Sequence, residues 1–249
     1  MEKILTLKFH NEILLNTSLY NYLSIINDTS VHDIIENVTF DNFIDTTKDF
    51  LKKNDPASIT KYKSEMRKPY QKYIETTLRD GWAGIKNNLL VSSYITFDLF
   101  LNHLVNVYCR HFPKLYSDED IAISYTVFKD FKNAVEARDY YIKTYVERFA
   151  AFSFSEKINF AKKTLKLNSD DIWVLHGREY IHDLDAIRLK IIHAETASEI
   201  PDTDFYMFIN YLCSLIFKLS AYSQIKYGIP FDWIKDVNFR FKIAGKHEL

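Results

Sequence analysis

The apolar positions of the chain recur mainly at the three- and four-residue steps of an α-helix. Within residues 87–112 they form one continuous series: Leu90, Tyr94, Phe97, Leu101, Leu104 and Tyr108. This series lines one helical face, so we predict a long core helix that ends before Pro113. A second series follows Pro201: Phe205, Phe208, Leu212, Leu215, Leu219 and Tyr222. It predicts a last amphipathic helix that ends at Gly228.

The N-terminal third of the chain has weaker patterns. Residues 1–30 are ambiguous, since Ile4–Phe9 suits a short strand whereas Leu14–Ile26 has helical spacing. One helix is predicted from Thr39 to Leu51, and another from Ser58 onward with a kink or interruption near Pro69.

Gly81 and Gly84 mark the predicted domain boundary, because glycine weakens a helix and the apolar density rises after them. We therefore predict an N-terminal helical extension over residues 1–80, a helical bundle over 81–228 and a C-terminal tail over 229–249.

Three further helical segments are predicted between the two apolar series. Residues 121–149 suit one or two helices, and Ser155 is a candidate N-cap for Glu156–Leu165. Asn168–Asp171 is the candidate cap of the next helix, whose shared face would carry Trp173, Tyr180, Leu184, Ile187 and Ile191.

Composition supports an all-α fold. Only five glycines and five prolines occur in 249 residues, so long stretches lack the residues that end helices and form tight turns. The hydrophobic content of 47% is enough for a full-sized core. We expect one extended, well-ordered domain.

The charge is close to balanced but unevenly distributed. A formal net charge of −1 argues against bulk electrostatic attraction to nucleic acid. Residues 48–79, however, contain nine Lys or Arg against four acidic residues. That stretch is either a solvated helix face or a surface that faces phosphates.

Cysteine usage and the most apolar segments indicate the cellular compartment of the protein. Cys109 and Cys213 offer neither a metal spacing nor a disulfide framework, which fits a reducing cytoplasm. The N-terminus lacks the layout of a signal peptide. The most apolar windows, residues 89–108 and 205–222, contain polar groups that a bilayer would penalise, so we predict core helices and a cytoplasmic protein without a membrane span.

No common cofactor or metal motif is present. The chain lacks a Gly-rich phosphate loop, a Gly-x-Ser-x-Gly elbow, His-Glu-x-x-His and Cys-x-x-Cys. Glu179 and His182 have the spacing of a di-iron ligand pair, but no other histidine has Glu three residues before it. We predict neither a metal nor a cofactor.

The candidate chemistry lies at Arg188 and His193, which are separated by four residues near the end of an amphipathic pattern. With the preceding apolar residues and the Ser153–Ile158 stretch, this spacing resembles the Arg-x4–6-His motif of the HEPN family of helical domains. The resemblance spans about residues 87–225 and implies a HEPN-type helical bundle. It also implies a metal-independent endoribonuclease in which Arg188 and His193 of two subunits meet at a dimer interface.

The residue types suit that reaction. A ribose 2′-OH attacks the neighbouring phosphate when a group that titrates near neutral pH moves protons, and histidine is such a group. Arginine supplies a planar cation for the developing phosphorane charge. Five residues of regular helix rotate the two side chains apart by about 140°. Either the helix breaks between them, or a two-fold axis builds a composite cleft, which implies a homodimer.

Other residues near the motif are candidates for supporting roles. Asp185 can pair with Arg188, and Glu195 lies near His193. Tyr180, Lys190 and Lys157 are candidate substrate contacts.

One residue departs from the family's motif, and this departure bears on the alternatives to a nuclease function. The family often has a polar residue after the arginine, whereas here it is Leu189. That favours the second hypothesis, a non-catalytic helical module that binds RNA, nucleotide or a protein partner. A pure oligomerisation scaffold is the third. For the nuclease, the resemblance implies a toxin or antiviral-defence role, with an inhibitory or activating protein partner.

Overall fold

The computed structural model describes residues 2–28, 38–45, 56–117, 124–169, 171–193 and 200–233. Over these residues the regular structure is α-helical, and no strand occurs apart from two isolated bridges, Ile4 with Phe231 and Leu175 with Arg178. The predicted all-α class is confirmed. The second half of the predicted 39–51 helix and Glu195 lie outside the described residues.

The described helices are, in chain order, α1 (Thr6–Asp28), α2 (residues 38–45), α3 (Pro56–His111), α4 (Lys114–Ser117), α5 (Tyr125–Phe128), α6 (Ala134–Ala150), α7 (Phe154–Lys163), α8 (Ile181–His193) and α9 (Asp202–Tyr227). The ambiguous N-terminus is therefore helical from Thr6, and its strand-like segment is limited to the single bridge at Ile4.

Helix α3 runs without a break through Pro69, Gly81 and Gly84. The predicted interruption near Pro69 does not occur, and Gly81 and Gly84 lie inside the helix rather than at its end. Proline costs about 3 kcal/mol and glycine about 1 kcal/mol inside a helix. Burial of the residues that follow, including Ala83 and Leu90, offsets that cost. All six apolar positions predicted for residues 87–112 are buried, and the helix ends at His111 as expected.

The chain forms two compact units, and their division does not follow the predicted boundary. The first unit contains Met1–Asn11, Phe97–Ile172 and Ser214–Leu249, and the second contains Glu12–Thr96 and Trp173–Cys213.

The first unit has its core around the C-terminal half of α3. The hydroxyl of Tyr108 donates to Ser223 Oγ at 2.8 Å, which joins α3 to α9 inside this unit. The backbone of Ile4 pairs with the chain after α9: its N–H donates to the Pro230 carbonyl at 2.9 Å, and its carbonyl accepts from Asp232 N–H at 3.1 Å. The N-terminal residues are therefore part of the unit's hydrogen-bonded structure.

The second unit is built around Tyr20, whose ring lies 5.0 Å from Trp82 and 4.5 Å from Phe205. Its hydroxyl donates to Asp202 Oδ1 at 2.7 Å. The buried Lys86 ammonium donates to the same oxygen at 2.6 Å, so Asp202 ties the start of α9 to both α1 and α3 within this unit.

Two helices begin at positions other than those predicted. Helix α7 is capped by Ser153 rather than Ser155, because Ser153 forms a reciprocal capping box with Glu156. Helix α8 begins only at Ile181, after a turn in which the backbones of Leu175 and Arg178 exchange hydrogen bonds of 3.0 and 3.1 Å. Gly177 adopts φ of 79° in that turn, a left-handed conformation that favours glycine.

Within the described residues, α9 is one helix that is long and apolar enough to cross a membrane by length and composition. In the structure 61% of its most apolar window is buried. Its inward positions, such as Leu212 and Leu219, are fully buried, as expected for a core helix.

Candidate functional site

Arg188 lies on the inward side of α8. It follows the buried Leu184 by four residues and the buried Ile181 by seven, so all three share one helical face. The Arg188 side chain is 25% exposed. The motif arginine is therefore packed within the second unit, with its guanidinium at the edge of that unit's core.

Two contacts fix the Arg188 guanidinium. Its centre lies 4.7 Å from the centroid of the Tyr94 ring, a cation–π arrangement. Its Nε donates to Asp185 Oδ1 at 3.2 Å, and its Nη2 lies 3.2 Å from the same oxygen. The predicted pairing of Arg188 with Asp185 is present in the structure.

Tyr94 completes this cluster from α3. Its hydroxyl donates to Asp185 Oδ1 at 2.7 Å, so one tyrosine supports the guanidinium with its ring and the carboxylate with its hydroxyl. Hydrogen bonds to a charged acceptor are stronger than neutral ones. Tyr94, Asp185 and Arg188 form a three-residue group, here called the arginine cluster.

Tyr94 was predicted as a core residue only. The available signal was its residue type: a tyrosine on a buried face needs a partner for its hydroxyl. Sequence alone does not show that the partner is Asp185, because the two residues are 91 positions apart.

His193 is the last residue of α8 and is exposed. The helix is unbroken from Ile181 to His193, so the expected alternative of a break between the motif residues was wrong. On a regular helix His193 stands about 7.5 Å along the axis and about 140° around it from Arg188. The two side chains therefore do not converge on one phosphate within a single chain.

An exposed apolar strip separates the two motif residues on α8. Ile192 and Leu189 are 51% and 40% exposed. Measured from Arg188, they lie about 40° and 100° around the axis, and so between Arg188 and His193. A partner surface that covers Leu189 and Ile192 would therefore lie next to both Arg188 and His193.

The structure places the other predicted site residues at three separate positions. Lys190 is exposed on the outer side of α8. Tyr180 is buried, with its ring centroid 6.0 Å from Phe208 and 5.6 Å from Tyr211, so it belongs to the core. Lys157 is a buried residue of the first unit and donates to both carboxylate oxygens of Asp98.

Asp202 lies near the start of the next described segment after α8, residues 200–233. Besides contacting Asp202, Lys86 Nζ donates to the Ile200 carbonyl at 2.6 Å. The pKa of Asp202 is lowered from its ordinary value, first by the hydrogen bond from Lys86 and then by the one from Tyr20. Lys86 thus joins Ile200 and Asp202 to α3.

The first unit contains an open cavity of about 270 Å³ lined by Glu2, Arg110, His111 and Arg138. Arg110 is already engaged there: it contacts Glu2 Oε2 at 2.6 Å and Asp139 Oδ1 at 2.9 Å. Because two carboxylates neutralise its charge, this cavity has no strong excess of positive charge to attract a phosphate.

The described residues contain no group of three or more His, Cys, Asp or Glu side chains that could hold a metal ion. Comparisons of the chain with protein-family models, curated proteins and solved structures found no match.

Proposed function

We propose that the chain is one subunit of a homodimeric, metal-independent endoribonuclease of the HEPN type. The observation that carries this proposal is the arginine cluster, which holds the Arg188 guanidinium in a defined position on the same helix that ends at His193. A fixed cation is what phosphoryl transfer needs, because preorganised charge stabilises the transition state without reorganisation.

The reaction assigns one role to each residue. The ribose 2′-oxygen forms a bond to phosphorus while the bond from phosphorus to the 5′-oxygen breaks, which leaves a 2′,3′-cyclic phosphate and a 5′-hydroxyl. His193 moves a proton, either from the 2′-OH as a base or to the leaving 5′-oxygen as an acid. Arg188 stabilises the negative charge on the phosphorane oxygens. DNA lacks the 2′-OH and is expected to resist cleavage.

The dimer follows from the divergence of the two side chains. Since α8 points Arg188 and His193 in different directions, one phosphate can meet both types of group only if a second chain contributes. The strip formed by Leu189 and Ile192 supports this, because apolar residues left exposed beside a candidate site are suited to an interface. A role as a toxin or defence effector in the cytoplasm, restrained by a protein partner, belongs to the same proposal.

A non-catalytic module that binds RNA, nucleotide or protein is the second candidate. The contact between Asp185 and Arg188 favours it, because a carboxylate 3.2 Å from the guanidinium offsets the charge offered to a phosphate. Leu189 in place of a polar residue agrees with this reading.

The experiment is RNA cleavage in EDTA by the unsubstituted protein and by His193→Ala and Arg188→Ala. Losses of about 10²-fold or more are expected for both, given the usual contributions of proton transfer and charge stabilisation. The matched controls are His182→Ala and Arg178→Ala, exposed residues of the same region, which should cleave normally. Cleavage that needs Mg²⁺ or survives both motif substitutions would contradict the proposal. RNA binding without cleavage would favour the second candidate.

A further inference from the structure

Four basic side chains share one face of the N-terminal half of α3. They are Lys61, Lys68, Lys72 and Arg79, and all four are exposed. Their spacings of seven, four and seven residues place them within about 40° of one another around the axis, over a length of about 27 Å. We call this face the basic stripe.

Helix α2 covers the other side of this part of α3. Tyr70 lies 5.2 Å from Phe40 and 5.1 Å from Phe43 between ring centroids, and the Arg67 guanidinium lies over Phe40 at 5.1 Å. Tyr70 is about 180° around the helix from Lys61. The packing on α2 therefore leaves the basic stripe open to solvent.

The stripe retains a positive excess. Lys61 lies 3.9 Å from Glu65, and Arg79 lies 3.6 Å from Asp80. Exposed pairs of this kind are weak in water. In the part of the chain that the structure describes, Lys68 and Lys72 make no ion pair.

Two carboxylates, Glu65 and Glu75, stand within about 40° of the stripe's line, which leaves two net positive charges on this face. The chain as a whole carries −1, so this excess is local.

The stripe ends where the same face of α3 becomes buried. Arg79 and Tyr94 are fifteen residues apart on the same helix, which corresponds to about 22 Å along the axis and about 60° around it. Between them, Ala83, Lys86 and Leu90 lie within about 40° of the stripe's line and are buried, so packing covers this face of α3 from Ala83 onward. A polyanion bound to the stripe therefore stays on the exposed N-terminal half of α3.

We propose that the basic stripe binds the phosphate backbone of RNA. This inference rests on the proposed function and names a second contact region for the same substrate. The partner is a polyanion because the four cations recur along a line, as phosphates do, whereas a compact anion would need them to converge. Backbone contacts position a nucleic acid without selecting its sequence.

The test measures binding separately from cleavage. The protein carrying His193→Ala, in which RNA stays intact, is titrated with labelled single-stranded RNA over a range of salt concentrations. Lys68→Gln with Lys72→Gln in that background removes two stripe charges. The matched control is Lys143→Gln with Lys163→Gln, which removes two exposed charges from α6 and α7.

The stripe variant is expected to bind RNA about tenfold or more weakly at low salt. The slope of log affinity against log salt should also flatten by about 1.4, since each single-strand phosphate contact contributes about 0.7. The control pair should leave both quantities unchanged. Equal affinity and slope in the stripe variant and its parent would overturn the proposal, as would a parent that binds no RNA.

Cleavage assays separate the two proposals. If the otherwise unsubstituted protein cleaves RNA but the stripe variant has the same salt slope, the stripe proposal fails and the nuclease stands. If binding depends on the stripe but no cleavage occurs, the nuclease fails and the stripe stands.

Discussion

The Tyr94 ring and the Arg188 guanidinium face each other at 4.7 Å, and the hydroxyl of that ring reaches the carboxylate that pairs with the guanidinium. A single side chain of α3 therefore determines where both charged groups of α8 lie. The ring and the hydroxyl act through different interactions, so substitutions can separate them.

Tyr94→Phe and Tyr94→Leu test this positioning role. Phenylalanine keeps the ring below Arg188 but loses the hydrogen bond to Asp185, which costs about 1.5–3 kcal/mol when the acceptor is charged. Leucine loses both interactions. We expect kcat for RNA cleavage to fall in the order unsubstituted, Phe, Leu, with KM nearly constant.

The control for Tyr94 is Tyr73→Leu, which changes an exposed tyrosine nearer the N-terminus of α3. It should leave kcat unchanged. A folded Tyr94→Leu protein with full kcat would show that Arg188 is placed without Tyr94.

The Leu189 and Ile192 strip is the predicted dimer contact. Burial of a Leu or Ile side chain contributes about 1.5–3 kcal/mol, so Leu189→Glu with Ile192→Glu should weaken dimerisation by about 10²-fold or more. The mass in solution, measured over a concentration series, should fall to that of one chain, 29.5 kDa.

A second exposed apolar set provides the control for the dimer test. Leu15 and Leu19 on α1 are 67% and 44% exposed, and they share a helical face. Leu15→Glu with Leu19→Glu should remain dimeric. The opposite pattern, with a monomer from the α1 variant and a dimer from the α8 variant, would place the interface on α1.

Helical spacing predicted the core of α3 and α9 well, because buried faces require it over many consecutive turns. It placed the continuity of α3 through Gly81 and the start of α8 less well. Gly81 lowers local helix propensity, but packing of the residues after it decides the outcome. At α8 the reverse occurs: the left-handed backbone at Gly177 delays a helix that the apolar pattern would begin earlier.

The motif residues of the candidate site were evident from spacing, but their supports were not. Asp185 is three residues from Arg188 and therefore predictable as a neighbour on a helix. Tyr94 and Lys86 act across long sequence separations, which only the tertiary fold determines. The direction of His193 away from Arg188 followed from helix geometry once α8 was known to be unbroken.

Stability should depend on pH through Asp202. In the folded chain the pKa of Asp202 lies below the ordinary value of 3.8. The ionised carboxylate therefore stabilises the folded state fully above pH 3.8, and this stabilisation is lost as the pH falls through the folded pKa. Asp202→Asn should be less stable than the unsubstituted protein at pH 7, and the difference should shrink below about pH 4.

The control for Asp202 is Asp204→Asn, which removes a carboxylate from the same first turn of α9. Thermal unfolding of the three proteins between pH 3 and pH 7 measures the effect. A stability gap between Asp202→Asn and the unsubstituted protein that stays constant over this range would contradict the charged contact with Lys86.

In the proposed composite site, one phosphodiester meets an arginine and a histidine from different chains. Co-expression of Arg188→Ala and His193→Ala chains with two different tags yields a heterodimer that has one intact Arg188 and one intact His193, never on the same chain. We predict that this heterodimer regains RNA cleavage to about half of the unsubstituted rate if one of two equivalent composite sites is intact, while each substituted homodimer remains inactive. A heterodimer as inactive as the two homodimers would contradict the account.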